Sequence, residues 1–107
     1  MKQLKQLLTL WLILICEVTA YTASFDECGK EDGITASGTI ATAGRTIAAD
    51  FLPFGTIVLI NGQRYVVEDV FGAHDGKHRI DIFMNSKHEA FEWGRRFIEV
   101  EILEDEI

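Results

Sequence analysis

The stretch TIVLINGQRYVVED, residues 56–69, decides the fold class. Two β-rich runs, residues 56–60 and 63–68, flank the dipeptide Asn61-Gly62. Asn-Gly between two such runs is the strongest short-range hairpin signal, because both central positions of the favoured two-residue turn need positive φ. Working outward, residues 18–24 are β-branched and alternating, and residues 35–41 are threonine-rich with Gly38 at their centre. Residues 79–83 and 97–103 read as two more strands. Between those two lies Ser86-Lys87-His88-Glu89, a capping box. It opens a helix carrying Ala90, Phe91 and Trp93, which Gly94 is placed to close. Six or so short strands joined by turns predict an all-β barrel or sandwich with one short helix near the C-terminus. A closed barrel has the advantage of leaving no exposed strand edges.

Composition bounds the function classes. A chain of 107 residues allows one domain. Its 48% hydrophobic content argues against intrinsic disorder. With 17 acidic and 10 basic side chains, its net charge of -7 excludes the basic face a nucleic-acid binder needs to release counterions. Two cysteines make neither a disulfide framework nor a zinc ribbon.

The N-terminus has an export pattern. Lys2 and Lys5 precede an uncharged, mostly apolar run, residues 7–16 (LLTLWLILIC), and Val18-Thr19-Ala20 suits a cleavage site after Ala20. Residues 1–20 are therefore expected to be a signal peptide or an N-terminal membrane anchor, and residues 21–107 the barrel domain. The run is shorter than the about 20 apolar residues that span a bilayer. A buried N-terminal helix is the other reading of the pattern. A cut after Ala20 would trim the strand at residues 18–24, so the barrel can begin near residue 17. Loss of Lys2, Lys5 and Glu17 would leave 8 basic and 16 acidic groups and a net charge of -8. Cys28, then the one thiol left, reads as a buried small hydrophobe. The expected location is secreted or cell-envelope associated, with transient membrane contact through the N-terminal segment.

Carboxylates are the chemistry present in quantity. Asp50, Asp69 and Asp81 stand among apolar neighbours, apart from the acidic C-terminal tail. In residues 79–83, period two puts Ile80 and Ile82 on the core face and Arg79, Asp81 and Phe83 on the other. Partial burial and a nearby carboxylate would raise the pKa of Asp81, and Arg79 would lower it. Carboxyl groups with separated pKa values are the working parts of glycosidic-bond cleavage. The same pattern also suits aspartates that cap turns and bind backbone N–H groups. Other candidates are weaker. His74 and His78 are four apart in a loop bounded by Gly72 and Gly76, and no ligand-rich motif accompanies them, so no metal site is expected. His88 reads as solvated, and Arg95-Arg96 as a surface pair near a helix end. Glycine-rich phosphate loops are absent from the sequence, and no cofactor is expected.

The motifs together resemble one family. Thr35-Ala36-Ser37-Gly38-Thr39, Gly44-Arg45-Thr46-Ile47-Ala48-Ala49-Asp50 and Pro53-Phe54-Gly55-Thr56 resemble the 3D domain, named for three aspartates. Val67-Glu68-Asp69, Arg79-Ile80-Asp81-Ile82-Phe83 and Ala90-Phe91-Glu92-Trp93-Gly94-Arg95 continue the pattern in order, so the resemblance runs from about residue 18 to residue 103. It implies a six-stranded double-psi β-barrel, similar to that of membrane-bound lytic transglycosylase A, and a secreted or wall-associated muralytic protein. It makes Asp50, Asp69 and Asp81 the name-giving aspartates, with Asp81 at the position of the catalytic acid. Asp81 would then donate a proton to the bond between N-acetylmuramic acid and N-acetylglucosamine. Asp69 would raise the pKa of Asp81 by repulsion or orient it through a shared proton, and Asp50 would support the barrel's turn. Thr35, Ser37, Thr39 and Arg79 are the candidate substrate-binding residues, the hydroxyls serving either sugar contacts or strand filling. Related sequences often read Glu-Asp-Thr-Gly-Gly-Ala where this one has Glu68-Asp69-Val70-Phe71-Gly72-Ala73, so the loop facing the glycan is expected to differ in shape. The expected partner is the glycan strand of peptidoglycan. A non-catalytic wall- or glycan-binding barrel, or a structural envelope protein, fits the same fold. The residues set no oligomeric state.

Overall fold

The computed structural model describes residues 8–23, 33–72 and 76–105. Lys2, Lys5, Cys28, His74 and Asp75 lie outside the described residues. Among the described residues, six strands and one helix follow in chain order: β1 (Leu8–Tyr21), β2 (Thr46–Ala48), β3 (Ile57–Ile60), β4 (Gln63–Asp69), β5 (Arg79–Phe83), α1 (Lys87–Trp93) and β6 (Arg96–Asp105). The strands close into a barrel in the order β1-β5-β2-β4-β3-β6. Two neighbouring pairs, β1–β5 and β2–β4, are parallel, and the rest are antiparallel. This is the mixed, closed double-psi barrel that the motifs imply.

Every strand sends apolar side chains inward. Cys16 and Val18 from β1, Ile47 from β2, Val58 and Ile60 from β3, Val67 from β4, Ile80 and Ile82 from β5, and Val100 and Ile102 from β6 are all buried in one cluster. The alternation in β5 is the one the sequence predicts, with Ile80 and Ile82 in the core. The β3–β4 hairpin turns at Asn61 (φ 52°) and Gly62 (φ 79°), both in the left-handed region that its turn needs. Ser86 caps α1 by accepting from the Glu89 backbone N–H at 3.2 Å, and Gly94 closes it at φ 67°. Trp93 ties the helix to the barrel by donating its indole N–H to the Val18 carbonyl at 3.0 Å, and Arg96 lies 3.8 Å over its ring.

Three segments differ from the sequence reading. Residues 35–41 are not a strand. They form a tight loop closed by an isolated bridge between Ile34 and Ile40, because its threonine hydroxyls bond locally instead of leaving the backbone to a ladder. The remaining strand is β2, whose three residues are all buried and therefore show no alternation. The first strand begins ten residues earlier than the pattern at residues 18–24 suggests, and residues 8–17 are strand rather than helix. β1 pairs with β6 from Leu8 to Val18 and with β5 from Glu17 to Tyr21, so it closes the barrel. A cut after Ala20 would remove that strand with Cys16 and Val18. Burial pushes the Cys16 thiol up to about 11. Among the described residues, no helix is long and apolar enough to cross a membrane.

Candidate functional site

Strand register assembles the site. The β1–β5 pairing sets Thr19 beside Asp81, β5–β2 sets Asp81 beside Ala48, and β2–β4 sets Ala48 beside Asp69. Four residues from four adjacent strands thus form one row on the face opposite the core residues Val18, Ile47, Ile80 and Ile82. One detail of β4 is needed for this. Its register with β2 slips by one residue, so that Ile47 pairs with Val67 but Ala48 pairs with Asp69. Without that bulge, period two would put Asp69 on the inward face with Val67. The extra residue, Glu68, turns its carboxylate into a buried network, accepting from the Thr46 hydroxyl at 2.7 Å and the Arg45 guanidinium at 3.1 Å.

Beyond the polar row stands an aromatic one. Tyr21 and Phe83 are register partners two residues past Thr19 and Asp81, and their rings meet edge to face at 5.5 Å. With Ala48 they form a second buried apolar cluster, outside the barrel's main core. Asp69 and Asp81 of the polar row, this cluster, the loop at residues 33–41 and the segment Val70-Phe71 line a groove of about 330 Å³.

The three aspartates have different surroundings. Asp81 accepts from the Thr19 hydroxyl at 3.0 Å. Asp69 accepts from the Tyr21 hydroxyl at 2.9 Å on one oxygen, and from the Ala36 and Val70 backbone N–H groups at 2.9 and 3.0 Å on the other. Asp69 and Asp81 sit two strands apart, roughly 10 Å between backbones at ~4.8 Å per strand. The Asp69 oxygens take those three donors, and the Asp81 carboxyl takes Thr19. Asp50 does not line the groove. It accepts from the Phe71 and Gly72 backbone N–H groups at 2.6 and 3.2 Å, and so fastens the segment that forms one wall.

The candidate binding residues of the loop bond to one another. The Thr35 hydroxyl lies 2.7 Å from that of Thr39 and 3.1 Å from that of Ser37, and Thr35 also accepts from the Thr39 backbone N–H. These hydroxyls hold the loop closed, and it is the backbone of Ala36 that reaches the site. Arg79 stands off the groove, 3.5 Å from its register partner Glu17, which also meets Arg95 at 3.0 Å. His78 is exposed, its ring 4.9 Å from that of Phe51, and exposed His88 pairs with Glu92 at 2.8 Å. Sequence reasoning put Phe83 on the face of Asp81 but missed Tyr21 and Ala48 as groove residues and Thr19 as the partner of Asp81. Thr19 and Tyr21 share a strand face by period two, but the export pattern over the same residues obscures it.

Comparisons with known proteins agree on one family. The 3D domain description matches residues 45–104. A Bacillus subtilis (strain 168) protein named for cell wall shaping, YabE, is 30% identical over 96 residues, which cover 85% of this chain and 23% of that protein. The crystal structure of MltA from E. coli is similar with a TM-score of 0.53 and 26% identity, covering 66% of this chain and 27% of MltA. The chain therefore spans about a quarter of the length of either relative.

Proposed function

The chain belongs to the 3D domain family, and from that premise we propose that it is a peptidoglycan-cleaving lytic transglycosylase working in the cell envelope. The observation that carries this reading is Asp81. It stands on the outer face of a closed barrel, lines an open groove beside an aromatic wall, and is flanked in register by Thr19 and Ala48. The likeness to MltA and to a protein named for cell wall shaping supports the substrate class.

The chemistry needs one carboxyl used twice. Protonated Asp81 gives its proton to the glycosidic oxygen between N-acetylmuramic acid and N-acetylglucosamine as the C1–O bond breaks. The 6-hydroxyl of the muramic acid then attacks the oxocarbenium-like C1, and its proton passes to the Asp81 carboxylate. The product is a 1,6-anhydro sugar, no water is consumed, and Asp81 ends protonated. No enzyme nucleophile is required, unlike in a retaining hydrolase. Thr19 orients the carboxyl through its hydroxyl, and Tyr21 and Phe83 offer an apolar face to the sugar ring.

Digestion of purified peptidoglycan, followed by mass spectrometry, tests this reading. Anhydro-muropeptides are expected from the native chain and not from Asp81→Asn. Equal product from that variant removes Asp81 from the reaction. A second reading, a non-catalytic glycan-binding barrel, uses the same groove, with Tyr21 and Phe83 in its lining as the face that meets the sugar. Retention on insoluble peptidoglycan without product release would select it.

A further inference from the structure

We propose that Tyr21 and Asp69 are positioning residues that together clamp the loop at residues 33–41 as one wall of the glycan groove, and that Asp69 takes no part in proton transfer. The loop meets the end of β4 at two adjacent points. The Ala36 backbone N–H donates to the Asp69 carboxylate at 2.9 Å, and the Ser37 backbone N–H donates to the Glu68 carbonyl at 3.1 Å. The first contact depends on the direction of a side chain. Tyr21 sets that direction by donating its hydroxyl to the other Asp69 oxygen at 2.9 Å. Tyr21 is itself held, buried against Phe83 in the aromatic row. The clamp therefore runs from β1 through β4 to the loop, spanning the groove beside Asp81.

The loop is stiff in itself, through the Ile34–Ile40 bridge and the Thr35–Thr39 hydroxyl pair. It can thus move as a unit if its anchor is lost. Ile34, Ala36 and Ala41 from this loop line the groove, so moving it changes the groove's width without touching Asp81. Charge-assisted hydrogen bonds from backbone N–H groups are the strong kind, which suits a carboxylate used as an anchor. The functional half of this inference rests on the glycan reading of the groove, whereas the mechanical half does not.

Two measurements on the full chain test the halves separately. The first is amide hydrogen exchange at Ala36 and Ser37 in Tyr21→Phe, Asp69→Asn and Asp69→Ala. Tyr21→Phe keeps the ring and deletes one hydroxyl, so the fold should persist while Ala36 exchange rises by roughly 3- to 10-fold, the net worth of one hydrogen bond. Asp69→Ala should raise it further. Asp69→Asn keeps an oxygen for the Ala36 and Val70 N–H groups and should retain most of the protection. Unchanged Ala36 exchange in both Tyr21→Phe and Asp69→Ala overturns the clamp.

The second measurement is turnover of soluble peptidoglycan fragments against pH. A positioning role predicts a raised KM in Tyr21→Phe, partial rescue in Asp69→Asn relative to Asp69→Ala, and an unmoved pH profile in Asp69→Asn. A displaced profile in Asp69→Asn would make Asp69 a proton-transfer partner and overturn the assignment. If the native chain neither binds nor cleaves the fragments, the glycan reading fails, and the exchange data still decide the clamp.

Discussion

Ala48 lies in register with both groove aspartates, Asp81 on one side and Asp69 on the other. Its methyl group is the floor between two carboxyls, packed in the cluster with Tyr21 and Phe83. A larger side chain has nowhere to go except into the groove or against the aromatic row. Ala48→Leu is therefore expected to weaken binding of peptidoglycan fragments by at least about tenfold, and to lower stability by about 1–3 kcal/mol through overpacking. Fragment titration and urea unfolding on the same variant check both effects.

β1 makes a second prediction. It supplies Cys16 and Val18 to the core, receives the Trp93 indole bond at the Val18 carbonyl, and joins β5 to β6. A chain starting at Tyr21 is expected to lack a cooperative unfolding transition by circular dichroism, and one starting at Leu12 to keep it. N-terminal sequencing of exported protein should accordingly find a first residue upstream of Cys16. A folded, active product beginning at Tyr21 would contradict the role given to β1.

Cys16 makes stability depend on alkaline pH. Its thiol rises from an ordinary value of 9.0 to about 11 because burial disfavours the thiolate. Below pH 9 the thiol is protonated whether the chain is folded or not, and the stability it contributes is fully present. Between pH 9 and 11 the unfolded chain releases the proton first, so stability falls by about 1.4 kcal/mol per pH unit from this group. Urea midpoints from pH 8 to 11 should show a decline that is shallower in Cys16→Val. The buried thiol should also resist alkylating reagents in the native state when tested in a Cys28→Ser background.

The Glu68 network provides a fourth prediction. Glu68→Ala would leave the buried Thr46 hydroxyl without its 2.7 Å acceptor and take one acceptor from the Arg45 guanidinium, which still donates to the Ile40 carbonyl at 2.8 Å. A loss of about 2 kcal/mol is expected, mostly from the orphaned hydroxyl and the vacated space, since Arg45 is itself partly exposed. The bulge that aims Asp69 depends on where Glu68 goes, so fragment binding should weaken together with stability. Denaturation and binding measured on Glu68→Ala and Glu68→Gln would show whether the two losses run in parallel.

Local features were legible in the chain. The Asn61-Gly62 turn, the Ser86 cap, the Gly94 stop and the alternation of residues 79–83 each depend on neighbours a few residues away, so composition and spacing reveal them. The ordered motifs likewise carried the family and its barrel. β2 was not legible, because three wholly buried residues have no period. Residues 35–41 misled, because threonines favour strands on average but here bond to one another.

The sequence by itself determined the β3–β4 hairpin, the strand at residues 79–83, the caps of α1 and the supply of carboxylates, because those follow from side-chain chemistry at short range. Only the tertiary structure decided where each carboxylate sits and which donors it meets. The bulge at Glu68 turns Asp69 outward against its own alternation, the parallel pairing of β1 with β5 brings Thr19 to Asp81, and the loop at residues 33–41 occupies Asp69. Each of these joins residues 33 to 62 positions apart in the chain or depends on register between strands. No local pattern encodes them, since they arise only when closing the barrel forces distant strands into one alignment.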